Sequence, residues 1–260
     1  MSQTILSFVT FFIYIATPFY YAHRIVTQSP SRIWIWWVGS LIALLGHGWL
    51  LYQVIETPSG QNLSLLNMLS LTTWLMGWGL LSFSIKNALQ SLTLILYPVA
   101  AISLALMLIF PTREIIDTSA HLGVLSHIIV SMLAVSICAF AALQAIFLGI
   151  QDFLLKKHHT NSFLRLLPPL QTMEAALFLL IWVGLGLLTI SLVSGFIYFE
   201  DFLSWSLYPK SLLSILAWGI LAILLLGRYI LGWRGKIAVR WTIGSFVLLT
   251  LAYFGTKALF

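Results

Sequence analysis

The sequence predicts an all-α fold, a polytopic integral membrane helix bundle of about eight transmembrane helices with both termini outside. Three observations predict it. The chain has 260 residues, is 60% hydrophobic and only 8% charged, and has a mean hydropathy of +1.01. A soluble domain carries roughly 25% charged residues, so this chain lacks the polar surface to face water. Eight apolar stretches are also long enough to cross a bilayer, which takes about 20 residues each. The third observation is a segregation of basic residues between alternate loops.

Taken in order, the stretches lie near 3–22, 33–53, 64–85, 91–110, 124–150, 175–199, 211–231 and 240–258. The first resembles a signal peptide but has no basic residue before its apolar core, and Arg24 follows it. It therefore reads as a retained span with its N-terminus outside. All eight are helical, because unpaired backbone groups in lipid cost too much. With eight spans, ten of the thirteen Lys and Arg residues fall in one set of loops, and only Arg113, Lys210 and Lys257 fall in the other. The basic side is cytoplasmic. Trp34, Trp36 and Trp37 beside Arg32 read as an aromatic interface belt on that side. The stretch 151–174 reads either as an amphipathic surface helix or as a solvated linker, and Gly232 and Gly235 read as a tight turn. No soluble domain or short repeat breaks the chain, so residues 1–260 form one membrane domain.

Composition also excludes several functions. The formal charge of +6 belongs with cytoplasmic loops rather than nucleic acid. The lone cysteine, Cys138, excludes an internal disulfide and a CxxC redox centre, and no CxxCH haem-attachment motif is present. No Gly-rich phosphate loop, nucleophile elbow or zinc-type ligand cluster occurs.

Two ionisable residues stand inside apolar runs. His47 lies in "LIALLGHGWLLYQ" and His127 in "GVLSHIIVSMLAVS". On the eight-span topology both sit toward the outer side. Ser40, Ala43 and His47 share one helical face, as do His127, Ser131, Ala134 and Cys138. Such stripes of small and polar residues face a bundle interior. An intramembrane ionisable residue marks a candidate functional site. The plain alternative is a neutral imidazole hydrogen-bonded between helices. The sharper one is an axial ligand to haem iron, which imidazole suits. His23, His158 and His159 lie among basic residues and read as solvated. His121 lies in the outer loop, six residues before His127, as a secondary candidate.

Several stretches resemble the haem-handling membrane proteins of the cytochrome c assembly family. They are "GHGWLLYQVIETPSGQNLSLLNMLSLTTWLMGW", "SHIIVSMLAVSICAFAALQAIFLGIQDFLLK", "LPPLQTMEAALFLLIWVGLGLLTISLVSGFIY" and "GWRGKIAVRWTIGSFVLLTLAYFGTK". They cover most of residues 41–257. The resemblance implies a bacterial cytoplasmic (inner) membrane protein that binds haem b non-covalently, with His47 and His127 as iron ligands. It implies a part in cytochrome c assembly or haem delivery, in the lipid bilayer and beside other membrane or cytochrome-assembly proteins. It also suggests Trp205 in "SWSLYPKSLLSILAW" as a secondary site residue. Arg113, on the outer side after Pro111, is a candidate partner for a haem propionate, since a guanidinium matches a carboxylate, or a helix-end anchor. The chain departs from the family pattern in three places. Tyr208 stands where the haem-presenting signature has aspartate, Leu207 stands where it has a tryptophan, and Leu226 occupies the second intramembrane histidine position. Covalent haem attachment by this chain alone is therefore not expected. His47 and His127 could share one haem, hold one each, or hold none. The competing expectation is a non-enzymatic regulatory or accessory membrane protein that has lost ligase function.

Overall fold

The computed structural model describes residues 2–27, 33–58, 60–84, 89–116, 122–157, 164, 166–198 and 208–255. Among the described residues, long apolar runs give eight long helices: α1 (Ser2–Val26), α2 (Ile33–Ile55), α3 (Leu65–Phe83), α4 (Thr93–Ile109), α5 (Leu122–Lys156), α6 (Leu170–Tyr198), α7 (Tyr208–Leu231) and α8 (Lys236–Thr250). Seven of them are long and apolar enough to cross a membrane, so the chain is a multi-pass membrane bundle. The exception by apolarity is α3, which buries Asn67, Ser70, Thr72 and Thr73 inside the protein. Polar groups hydrogen-bonded between helices lower its mean hydropathy without exposing them to lipid.

The chain forms two compact units. One holds α1–α4 together with 158–169, and the other holds α5–α8. In the first unit α1 packs on α2 and α4, α2 on α3, and α3 on α4. The second unit repeats that closed ring with α5, α6, α7 and α8.

Between helices of the first unit lies a three-stranded antiparallel sheet that the apolar pattern does not announce. It consists of β1 (Glu56–Thr57), β2 (Gly60–Asn62) and β3 (Ile115–Ile116). Glu56 pairs with Gln61 and Asn62 with Ile115. The Asn62 side chain holds the sheet to the α4 exit, because Nδ2 donates to the Thr112 carbonyl (2.9 Å) and Oδ1 accepts from the Glu114 N–H (2.9 Å). Asn67 Nδ2 then donates to the Asn62 carbonyl at 3.0 Å. Since β3 follows α4 while β1 and β2 join α2 to α3, these three helices end or begin at the same level. So α3 runs away from the sheet and α4 returns to it, and α3 traverses the unit despite its polarity.

Several sequence expectations meet this structure. Of the stretch 151–174, α5 takes the part up to Lys156 and α6 the part from Leu170, while 158–163 and 165 lie outside the described residues. Leu170 directly follows Pro168 and Pro169, and proline favours the start of a helix. Leu167 and Pro168 are buried, and the Tyr21 hydroxyl donates to the Leu166 carbonyl at 2.9 Å. The turn at Gly232 and Gly235 has φ of +66° and +52°, a region that favours glycine. The tryptophan belt needs correction, since Trp34 is exposed but Trp36 is buried in the unit, 1% exposed. Residues 34, 36 and 37 fan around a helix by about 100° per step, so they do not share one face.

Candidate functional site

The motif around His47 is built by its flanking glycines. A Cβ at Gly46 would strike the Thr10 side chain of α1, and one at Gly48 would lie 2.9 Å from the Trp74 ring of α3. The Gly-His-Gly sequence therefore lets both neighbouring helices close around the imidazole. Trp74 Nε1 adds a hydrogen bond to the Leu44 carbonyl at 2.7 Å. As the stripe predicts, Ser40, Ala43 and His47 are all 0% exposed.

Both ring nitrogens of His47 have hydroxyl partners. Nδ1 lies 3.0 Å from the Tyr14 hydroxyl of α1, and Nε2 lies 2.8 Å from Ser70 Oγ of α3. A neutral imidazole has one N–H and one lone pair, so either tautomer satisfies both contacts. Tyr14 stands edge-on to the imidazole (centroids 5.6 Å, 88°) and to Tyr97 of α4 (5.2 Å, 71°). Thr73 extends the polar core by donating to the Ser70 carbonyl at 2.9 Å and meeting Ser103 Oγ at 2.7 Å. All four helices of the unit thus converge on His47. An iron at Nε2 would require the Ser70 bond to break inside a packed interior. In this arrangement the His47 site does not fit a haem.

His127 is placed differently. It is half-buried on α5, while Ser131, Ala134 and Cys138 of the same stripe are buried. Close packing of α5 on α6 brings it to Ser191 and Ser194. Ser194 Oγ lies 2.9 Å from His127 Nδ1 and donates its own proton to the Ser191 carbonyl at 3.0 Å. A hydroxyl has one proton to give, so Ser194 accepts from Nδ1–H when it donates to that carbonyl and donates to Nδ1 in the other tautomer. Nε2 faces Ser131 Oγ at 3.3 Å, and Ser131 also meets Ser191 Oγ at 2.7 Å. Tyr253, in the π-helical turn Leu251–Gly255, hydrogen-bonds the same two serines. A partner at Nδ1 is what orients a metal-ligating histidine, so of the two histidines His127 is the one whose Nε2 could hold a haem iron.

Arg113 is exposed on the segment that leads into β3, and Leu226 is 59% exposed on α7. His121, Trp205, Leu207, Arg32, His158 and His159 lie outside the described residues. No group of three or more His, Cys, Asp or Glu able to hold a bare metal ion occurs among the described residues. Sequence reasoning missed Tyr14, Ser70, Ser191, Ser194 and Tyr253. Each reaches its histidine, or that histidine's serine partners, from another helix, and no spacing within one helix signals that.

Comparison with known proteins extends the likeness seen in the motifs. The model of the cytochrome C assembly protein family matches residues 34–260. "Inner membrane protein YpjD" of Escherichia coli (strain K12) is 36% identical over 222 residues, covering 85% of this chain and 84% of that protein. The "Uncharacterized 28.8 kDa protein in nifR3-like 5'region" of Azospirillum brasilense is 30% identical over 133 residues, covering 50% of this chain and 49% of that protein. No solved structure matches the chain significantly.

Proposed function

Because the chain belongs to the cytochrome C assembly protein family, we propose that it is a haem-binding bacterial inner-membrane protein acting in cytochrome c assembly or haem delivery, with His127 as the residue that meets the iron. The observation that carries this reading is the placement of His127, half-buried on α5 with Ser194 Oγ 2.9 Å from Nδ1 and Ser131 Oγ 3.3 Å from Nε2, an intramembrane imidazole held by hydroxyls of two helices. Haem b bound non-covalently would supply a redox-active iron. The chain's own residues hold the imidazole through Ser194 and wall the site with serine hydroxyls. His47, closed on Tyr14 and Ser70, ties helices together in this reading and binds no iron. The relative's name supports the membrane assignment.

A second reading is an accessory protein derived from the family that has lost ligase function. It is favoured by the closed His47 and by an apolar, exposed Leu226 in place of a second intramembrane histidine.

Oxidised and dithionite-reduced spectra of the purified protein, with haem supplied, separate the two. The haem reading expects a Soret band that His127→Ala abolishes and His47→Ala retains per folded molecule. Absence of any Soret band from folded protein, even after haem is added, overturns it and leaves the accessory reading.

A further inference from the structure

We propose that the basic end of the α5–α8 unit carries a site for one anionic phospholipid headgroup, formed where the start of α8 meets α5 and α6. The structure has a cleft of about 100 Å³ there. Its walls are mostly apolar, with Leu148, Leu170 and Val239, and its charged residues are Asp152, Glu174, Lys236 and Arg240. Pockets for drug-sized ligands run roughly 300–1,000 Å³. The cleft therefore accommodates a phosphodiester and the first methylenes beside it, with acyl chains left along the helices, and excludes a macrocycle.

Charge bookkeeping selects an anion. Both acids of the cleft are already matched by bases. Asp152 pairs with Lys156 at 2.6 Å, while Glu174 pairs with Arg228 at 2.7 Å and with Arg234 at 3.6 Å. Arg228 is held further by the Trp233 carbonyl at 3.3 Å and by the Phe178 ring at 4.4 Å. Among the described residues, Lys236 and Arg240 enter no ion pair. They lie one helical turn apart on α8, so both face the cleft. The N-cap of α8 is Gly235; no side chain caps it, and the Ile237 N–H donates to the Arg234 carbonyl at 3.2 Å. The first turn of a helix also carries a positive dipole end. Two exposed surplus cations, a positive helix end and apolar walls suit a negatively charged headgroup whose chains continue in lipid. A basic pocket between transmembrane helices has this recognition chemistry.

The test uses the full chain, delipidated in a mild detergent. Phosphatidylglycerol, phosphatidylcholine or inorganic phosphate is titrated while unfolding is followed by tryptophan fluorescence, and retained lipid is counted by native mass spectrometry. Phosphatidylglycerol is expected to raise Tm and to remain bound at one molecule per chain, without a matching shift from the other two. Lys236→Gln with Arg240→Gln is expected to weaken phosphatidylglycerol about thirtyfold, and Arg240→Gln alone about fivefold. Lys157→Gln, outside the cleft, is expected to leave affinity unchanged. If the double variant does not fold, the count for Arg240→Gln decides. Wild-type retention in the variants, or an equal shift from phosphatidylcholine, overturns the proposal. An equal response to inorganic phosphate also overturns it and indicates a soluble anion instead.

Discussion

His47→Ala is expected to destabilise the protein by about 3–4 kcal/mol and, on the proposed haem reading, to leave the haem spectrum in place. The magnitude follows from what surrounds the ring. Two inter-helix hydrogen bonds are lost, at 3.0 Å to Tyr14 and 2.8 Å to Ser70. Such bonds in membrane bundles are worth about 0.6 kcal/mol on average and about 1.7 at most. The ring also leaves a cavity among fully buried neighbours, and large-to-small changes in cores cost about 2–5 kcal/mol. Tyr14→Phe keeps the volume and removes one hydroxyl, so about 1 kcal/mol is expected. The two changes should not add. Without His47 the Tyr14 hydroxyl is buried with no partner, and removing it relieves that penalty. Tyr14→Phe is thus expected to be neutral or stabilising, by up to about 1 kcal/mol, in the His47→Ala background. Reversible denaturant unfolding in micelles, with all four proteins of the double-mutant cycle, measures this coupling. Equal costs of Tyr14→Phe in both backgrounds would refute the hydrogen-bond reasoning. A folded His47→Ala protein that loses its haem band would refute the structural role.

Three other outcomes are expected. On the proposed haem reading, Ser194→Ala should weaken haem binding about 10- to 100-fold by releasing Nδ1, as loss of an orienting partner does at metal sites, whereas Ser131→Ala should not weaken it; absorbance titration with haem compares them, and equal losses would contradict the orienting role of Ser194. Gly77→Ala should cost about 1–3 kcal/mol by overpacking, because its Cβ would lie 2.5 Å from Leu44 Cδ2; thermal unfolding measures it, and an unchanged Tm would argue against the close α2–α3 contact. Asn62→Ala should cost about 2 kcal/mol, since it removes the side-chain bonds to Thr112 and Glu114, and hydrogen exchange should quicken in the three-stranded sheet before any other part of the α1–α4 unit.

The architecture was legible because lipid imposes a length and a polarity on each span, and eight apolar stretches became eight helices. Boundaries were less legible where helices outrun their apolar runs. The polar end of α5 continues to Lys156, supported by the Asp152–Lys156 pair at i and i+4. The sheet had no sequence signal because strands of two or three residues show no period, and its stability comes from Asn62 reaching across to residues 112 and 114. The small-residue stripes correctly pointed both histidines inward. Their partners were not legible, since Tyr14, Ser70 and Ser194 are ordinary residues of other helices until packing brings them near.

Two histidines on similar stripes meet different surroundings, and the difference lies in how closely their partners hold them. Beside His47, the Tyr14 hydroxyl at 3.0 Å and Ser70 Oγ at 2.8 Å close on both ring nitrogens inside a fully buried site. Either tautomer satisfies both contacts. His127 is half-buried; Ser194 Oγ lies 2.9 Å from its Nδ1, while Ser131 Oγ is 3.3 Å from Nε2 and has a shorter 2.7 Å contact with Ser191 Oγ. On the proposed haem reading, Nε2 of His127 is therefore the ring atom whose hydroxyl contact is exchanged at least cost, since Ser131 keeps its bond to Ser191. In physical terms, the spacing of Ser191 and Ser194 on α6 sets the surroundings of a histidine on α5.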